Sequence, residues 1–394
     1  MIPHDLHHFF GGQHVLVTGA SGFIGSHVAS LLVQTGARVR ALARSIKESR
    51  DSAIDWVEGD LLCLDSIDTA MKDCRYIFHV AGDYRFWARD PREIFANNVQ
   101  GTINLLEAAR RRGVEKIACT STTGILEPGT SERLATEERL ASPSQFKGPY
   151  KRSKFRSYLE VKKRSRAGWP IVTTLPTAPI GPHDIRPTPT GMIVVAFLNG
   201  RIPLLARTGL NFVDVRHCAL GHLLSMARGK SGERYLLGGI NLWLRDFLKR
   251  LEPYARYRTP RFYAPHWLSL LTACASETAA RLSPNWIPFV TRESVQMSRG
   301  PHFSSNAKAE NEIGYVPTSS IDRAIHDAVE DFIARGLAPV AAVRLKCYSP
   351  ALQNQGHREE NRETNGRGDY RLASGITQGN AKPSPANLHT LHRS

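Results

Sequence analysis

The chain has 394 residues, 41% hydrophobic and 22% charged, which is enough apolar content for a sizeable core and too much for wholesale disorder. Lysine and arginine number 52 against 36 acidic residues, a formal net charge of +16, so an anionic partner is indicated: nucleic acid, an acidic membrane surface or a charged small molecule. The best apolar runs, 192–198 and 267–275, fall far short of the ~20 residues of a membrane span. Residues 1–14 carry four histidines and residues 1–12 no long apolar stretch, so the start does not read as a secretory leader. The six cysteines form no C-x-x-C pair, which argues against a disulfide framework or zinc ribbon and fits a reducing cytoplasm. His4, His7, His8 and His14 match no tetrahedral spacing, and no metal site is expected.

In chain order, β-branched runs at 14–20, 38–44, 54–60, 76–82, 116–122 and 171–176 predict strands. Helical spacing lies between them at 24–34, 64–72, 94–112 and 151–166. Several of the strands are apolar on both faces, which predicts a Rossmann-type α/β fold with a doubly wound parallel sheet. Five prolines between 176 and 189 exclude a helix interior and mark a crossing into a smaller second lobe. There, 211–215 and 234–239 predict strands around a helix at 219–227, and 318–335 predicts a last amphipathic helix. The expected domains are a dinucleotide-binding domain at 1–180 and a substrate-binding lobe at 181–340, with 211–239 returning to the main domain. Residues 345–394 lose apolar periodicity and read as a disordered tail.

Thr18-Gly-Ala-Ser-Gly-Phe-Ile-Gly25 follows the first strand and opens the first helix. Gly19 permits the tight turn, Gly22 lets backbone amides approach a pyrophosphate, and Gly25 allows close helix–strand packing. Ser21, Phe23 and Ile24 complete this candidate cofactor loop. The second strand ends at Arg44 with no carboxylate for ribose hydroxyls, and its guanidinium suits a 2′-phosphate, so NADP is expected over NAD, with NAD still possible.

Tyr150-Lys-Arg-Ser-Lys154 stands where a helix should start, and its i, i+4 pair shares one face. A nearby ammonium favours the phenolate and should bring the phenol down, making Tyr150 a proton carrier for a substrate oxygen. A hydroxyl at Thr122 or Ser121 can bond the same oxygen; strand-end capping is the plainer use of both. Asp83, Tyr84 and Arg85, followed by Phe86 and Trp87, leave the fourth strand at the ligand-binding edge and are candidate substrate contacts; a packed surface loop is the alternative.

These residues carry a resemblance. The glycine loop, Asp60-Leu61, His79-Val-Ala-Gly82, Asn98-Val-Gln-Gly-Thr, Thr120-Ser-Thr122 and Tyr150-x-x-x-Lys154 resemble the extended short-chain dehydrogenase/reductases over residues 14–335. Residues 83–91, 176–182, 187–191 and 232–239 are similar to bacterial hopanoid-associated sugar epimerases, which lie near dihydroflavonol 4-reductases. The resemblance implies that Tyr150 is the general acid/base, Lys154 tunes it and holds the nicotinamide ribose, Thr122 is the family's catalytic hydroxyl, and Asn98 orders the site. It also implies that Asp60 and Leu61 meet the adenine, Ala81 and Gly82 the cofactor backbone, and Pro176 and Thr177 the nicotinamide side. Three departures are Thr122 for serine, Gly82 for alanine, and His217 where an aspartate is common, the last bearing on support of the substrate lobe.

The implied activity is hydride transfer at a carbinol or carbonyl carbon of a small molecule, in the form of a sugar-nucleotide epimerase. Alternatives are an NADPH-dependent dihydroflavonol-reductase-like or 3β-hydroxysteroid-type enzyme and, from another class, a non-catalytic dinucleotide-sensing or RNA-binding relative. The intact Tyr150/Lys154 pair argues for an enzyme. A homodimer through 94–112 and 151–166 is implied by the resemblance. The second of these helices carries eight basic residues and one acid, a solvated face or a peripheral contact for anionic lipid. Nucleic acid is not expected, since no aromatic stacking platform is evident.

Overall fold

Alternate residues of the central strands face opposite layers, and this period of two divides the core. Val15 and Val17 join one apolar cluster while Leu16, between them, joins another, and both are fully buried. The computed structural model describes residues 2–46, 51–283, 288, 290–317 and 320–339. The expected tail and the first two residues of the predicted 318–335 helix lie outside the described residues.

In chain order the elements are α1 (His4–Phe10), β1 (His14–Thr18), α2 (Phe23–Gln34), β2 (Arg38–Ala43), β3 (Asp55–Glu58), α3 (Leu64–Ala70) and β4 (Tyr76–His79). Next come α4 (Pro91–Phe95), a π-helical turn at Ala96–Gln100, α5 (Gly101–Arg111), β5 (Lys116–Thr120), α6 (Pro149–Arg166) and β6 (Ile171–Pro176). The remaining elements are β7 (Ala178–Ile180), α7 (Pro189–Leu198), β8 (Gly209–Asp214), α8 (Val215–Arg228), β9 (Arg234–Leu237), β10 (Ile240–Trp243), α9 (Leu244–Leu251), α10 (His266–Leu282), α11 (Arg292–Met297), β11 (Pro301–His302), α12 (Ala307–Ile313) and α13 (Asp322–Ala334).

Seven strands form one parallel sheet in the order β3-β2-β1-β4-β5-β6-β9, with apolar clusters on both faces, as the two-sided strands require. One cluster takes side chains from α1, α2 and α8, and the other from α3, α5 and α6. A second, mixed sheet joins β10, β8 and β11, with β7 also on β8, and packs against α7, α9 and α13.

Strands β1, β4 and β5 end two to three residues before the apolar runs do, at Thr18, His79 and Thr120. The residues beyond leave the ladder to build loops at the carboxyl edge of the sheet, where open α/β folds hold ligands. The predicted helix over 94–112 is interrupted by the π turn, whose wider ring sets Asn98 into the interior. Helix α1 escapes sequence detection because it is short; two of its three apolar residues, Leu6 and Phe10, are fully buried.

Candidate active site

The loop after β1 is shaped by glycine. Gly19 has φ +76°, and a Cβ there would lie 2.6 Å from the Ala81 amide nitrogen; a Cβ on Gly25 would overlap the Gly19 carbonyl oxygen. Helix α2 opens at Gly22 with no side-chain cap and no acidic residue in its first turn. Its first amides therefore stand ready for an anion, beside exposed Ser21, buried Phe23 and half-buried Ile24.

Arg44 is exposed just past β2. Asp60 and Leu61 follow β3; the Asp60 carboxylate accepts from the Leu62 amide, and the Leu61 carbonyl accepts from Asn104 Nδ2 at 2.9 Å. Gly82 lies against Lys154 Nζ and Asn98 Oδ1. Pro176 ends β6, and the Thr177 amide donates to the Leu237 carbonyl at 3.3 Å. The candidate cofactor positions thus line one edge of the sheet.

Helix α6 begins at Pro149 and presents Tyr150 and Lys154 one turn apart. Lys154 is buried; its ammonium donates to the Thr120 carbonyl at 2.9 Å, and burial pulls it down to about 8. Thr120 is itself anchored, its hydroxyl 3.1 Å from Nε2 of buried His222. Tyr150 departs from the sequence-based expectation. Burial pushes its phenol up to about 12, helped by the nearby Glu293 carboxylate, and the group that pulls it down is the Thr122 hydroxyl rather than the Lys154 ammonium, which is turned to Thr120. The phenol is therefore held as a proton donor at neutral pH. Thr122 also caps the short turn after β5 by accepting from the Gly124 amide, so capping and site contact coexist in one side chain. The Ser121 hydroxyl oxygen is buried with no hydrogen-bond partner, an orphan that fits a bound polar group.

Asn98 is placed to order the site through hydrogen bonds. Its Oδ1 accepts from the Asp83 amide at 2.7 Å, and its Nδ2 donates to the Asp83 carbonyl at 2.8 Å and to Ser153 Oγ at 2.9 Å. It ties the loop after β4 to α6. A second buried chain runs from Thr18 Oγ1 to His79 Nδ1 at 2.8 Å, and from His79 Nε2 to Thr102 Oγ1 at 2.9 Å. Burial lowers His79 to about 3, so it stays neutral and serves as a hydrogen-bonded strut.

Asp83, Tyr84 and Arg85, expected as substrate contacts, are bonded to protein groups in this structure. Arg85 grips the Asp83 carboxylate at 2.6 Å and reaches Glu93 at 3.2 Å, and the Tyr84 hydroxyl donates to the Arg186 carbonyl at 2.8 Å. Their polar groups tie the loop to itself, to α4 and to the Arg186 carbonyl. The next residues, Phe86, Trp87, Ala88 and Arg89, line a cavity of about 550 Å³ instead, closed by Lys147, Pro149, Glu277, Arg281 and Glu293. The Phe86 ring sits 5.5 Å from the Tyr150 ring, so this cavity adjoins the phenol.

Glu293, on α11, escaped the sequence reading. Its carboxylate accepts from the Lys151 amide at 2.9 Å and the Tyr150 amide at 3.2 Å, capping the helix that carries the site. Burial raises this carboxyl to about 7. No local pattern signals a contact made across 143 residues. His217 lies beside Asp214 with its Nδ1 buried and unbonded, while Arg216 supports the second lobe by bridging Asp214 at 2.7 Å and Asp327 of α13 at 2.6 Å.

A glycine cradle, a Tyr/Lys pair one turn apart and a cavity at the carboxyl edge of a parallel sheet define a dinucleotide-dependent enzyme of the extended short-chain dehydrogenase/reductase class. The chain belongs to the NAD dependent epimerase/dehydratase family, whose model matches residues 15–238. It is 37% identical to a putative dihydroflavonol 4-reductase of Synechocystis over 81% of this chain and 94% of that protein. Identity to the sterol demethylase protein B of Methylococcus capsulatus is 30%, over 82% of this chain and 99% of that one. Among solved structures, gox2253 superposes with a TM-score of 0.71 at 37% identity, covering 83% of this chain and all of the other.

Proposed function

We propose that this protein is an NADP(H)-dependent oxidoreductase that reduces a ring ketone, or oxidises the matching secondary alcohol, on a largely apolar substrate. The observation that carries this reading is the Tyr150 ring 5.5 Å from Phe86, which with Trp87, Ala88, Pro91 and Pro149 forms the apolar part of an adjoining cavity. The names of the Synechocystis and Methylococcus relatives favour substrates of this kind.

When bound, the nicotinamide supplies or accepts the hydride. The chain's own groups do the rest. Thr122 and Ser121 hold the substrate oxygen, and Tyr150 gives that oxygen its proton in reduction and takes it in oxidation. Lys154 keeps a positive charge close to the site and holds the ribose, and Asn98 keeps the loop after β4 against α6. Arg44 receives the 2′-phosphate and sets the preference for NADP. Free thiols at Cys63, Cys74, Cys119, Cys218 and Cys274 fit action in the cytoplasm, and α5 with α6 offers the homodimer face.

A second reading, a hopanoid-associated sugar-nucleotide epimerase, draws on the cationic lining of the same cavity: Arg89, Lys147, Arg281 and Arg292 suit a pyrophosphate. The two chemistries share their catalytic groups and differ in whether cofactor is consumed. NADPH absorbance is followed with polycyclic ketones and with nucleoside-diphosphate sugars. Stoichiometric NADPH loss with a ketone supports the reductase. Interconversion of a sugar nucleotide without net NADPH loss replaces it with the epimerase, and neither reaction across both sets sinks both.

A further inference from the structure

The two best apolar runs of the sequence meet opposite fates. Residues 192–198 lie in α7, where Val194 to Leu198 are buried in the second core. Residues 267–275 lie in α10, whose buried side chains are only Ala273, Glu277 and Ala280. Trp267, Leu268, Leu271 and Leu282 share the opposite face at helical spacing, with Trp267 64% and Leu282 81% exposed. Phe262, just before the helix, is 74% exposed. Among the described residues, seven of the sixteen exposed large hydrophobic side chains fall between 257 and 282.

We propose that α10 docks the protein on an anionic lipid bilayer, lying in the headgroup plane with Trp267, Leu268, Leu271 and Leu282 turned into the acyl boundary. Charge selects this occupant. Residues 252–282 hold four arginines and two acids; Glu252 pairs with Arg258 at 3.2 Å, and Glu277 is buried and bonded to Arg292 at 2.8 Å. Arg261 is exposed beside Phe262, Arg207 stacks on Tyr263 at 5.1 Å, and Arg299 is held at the head of the helix by His266 at 2.9 Å. Aromatic and leucine side chains on one face, flanked by arginines with no exposed acid between them, are what an interfacial helix requires. At 17 residues α10 runs ~25 Å, a length that lies along a surface, and among the described residues no helix is long and apolar enough to cross a membrane.

The docking also bears on the site. The opposite side of α10 contributes Glu277 and Arg281 to the wall of the substrate cavity, so docking brings that wall to the lipid boundary. The earlier candidate for lipid contact, α6, loses much of its claim. Lys154 is buried in the site, and Arg164 is bonded to Glu107 and Glu160 at 2.9 Å each.

The test is co-sedimentation of the full chain with vesicles of phosphatidylcholine alone or mixed with phosphatidylglycerol, at low and high salt. NADPH binding is measured in parallel as the readout of fold and of the enzyme reading. Binding to the anionic vesicles, weakened by salt and reduced roughly tenfold or more in Leu268→Glu/Leu271→Glu with NADPH binding intact, supports the proposal. So does unchanged binding in Arg152→Glu/Arg156→Glu/Lys163→Glu on α6. No binding at low salt overturns it, as does binding lost only in the α6 variant. A dimer that Leu268→Glu/Leu271→Glu dissociates, with no vesicle-bound fraction, assigns the stripe to a second copy and equally overturns it. Vesicle binding without any reductase activity would leave this inference standing and remove only the function proposed above.

Discussion

Between β1 and β6 several candidate site groups leave the end of a strand within a few residues of the motif that announces them: Gly19 after Thr18, Arg44 after Ala43, Ser121 after Thr120. Across the cavity the contacts are long-range. Glu293 reaches Tyr150 over 143 residues, and Arg89 donates to the Ser283 carbonyl over 194. Local motifs build the nucleotide side and long-range caps build the substrate side. Chemistry should therefore fail when the first is altered, while specificity and pH response should change when the second is.

The largest effect is expected at Tyr150. Tyr150→Phe removes the proton donor but keeps the ring against Phe86, so kcat should fall about 10²–10⁴-fold while NADPH affinity stays within a factor of two or so. Steady-state rates and a cofactor titration check this; a fully active variant would refute the assignment.

Glu293 tests the other side. Its carboxyl at about 7 lies above the ordinary 4.5, so folding favours the protonated form. The stability it contributes is complete below pH 4.5 and is lost as pH rises through 7. At ~1.4 kcal/mol per pKa unit the span is at most about 3 kcal/mol. Glu293→Gln should flatten this dependence, so wild-type stability minus variant stability should shrink from pH 5 to pH 8. Asp184, raised to about 6 by burial, titrates in both proteins and cancels in the difference. A difference that stays constant with pH would show that Glu293 does not titrate in this range.

These two residues also show what the sequence made legible. Tyr150 lies in a short motif whose spacing matches a helix turn, so its place at the start of α6 was legible. Glu293 sits in a six-residue helix with no motif, and its partners are backbone amides that any residue could supply. The parallel sheet was legible because its strands are apolar on both faces, whereas the second sheet has strands of two to six residues that carry little pattern. The π turn at Asn98 was hidden because its residues also suit an ordinary helix. Arg85 reads in the sequence as an anion grip beside a ligand edge, whereas in the structure its partner is Asp83, two residues away.

Arg44 sharpens the comparison at the cofactor end. It is exposed just past β2. Arg44→Ala should weaken NADPH about tenfold and leave NADH nearly unchanged, as measured by paired titrations. Equal losses for both would mean the guanidinium serves the shared part of the dinucleotide.

The smallest effects separate two arginines: Arg85, just before the cavity-lining Phe86, and Arg281 in the cavity wall. Arg85 is committed to Asp83 and Glu93, whereas Arg281 lines the cavity and is exposed. If the long-range wall sets substrate recognition, Arg281→Ala should raise KM severalfold for an anionic substrate and leave kcat alone. Arg85→Ala should instead cost about 1 kcal/mol of stability, because its Asp83 partner is largely buried, and leave KM unchanged. The reverse result would return the loop after β4 to the substrate and demote the cavity wall. Because each variant has its own readout, KM in one case and thermal unfolding in the other, a loss of folding in Arg85→Ala cannot be mistaken for a loss of recognition.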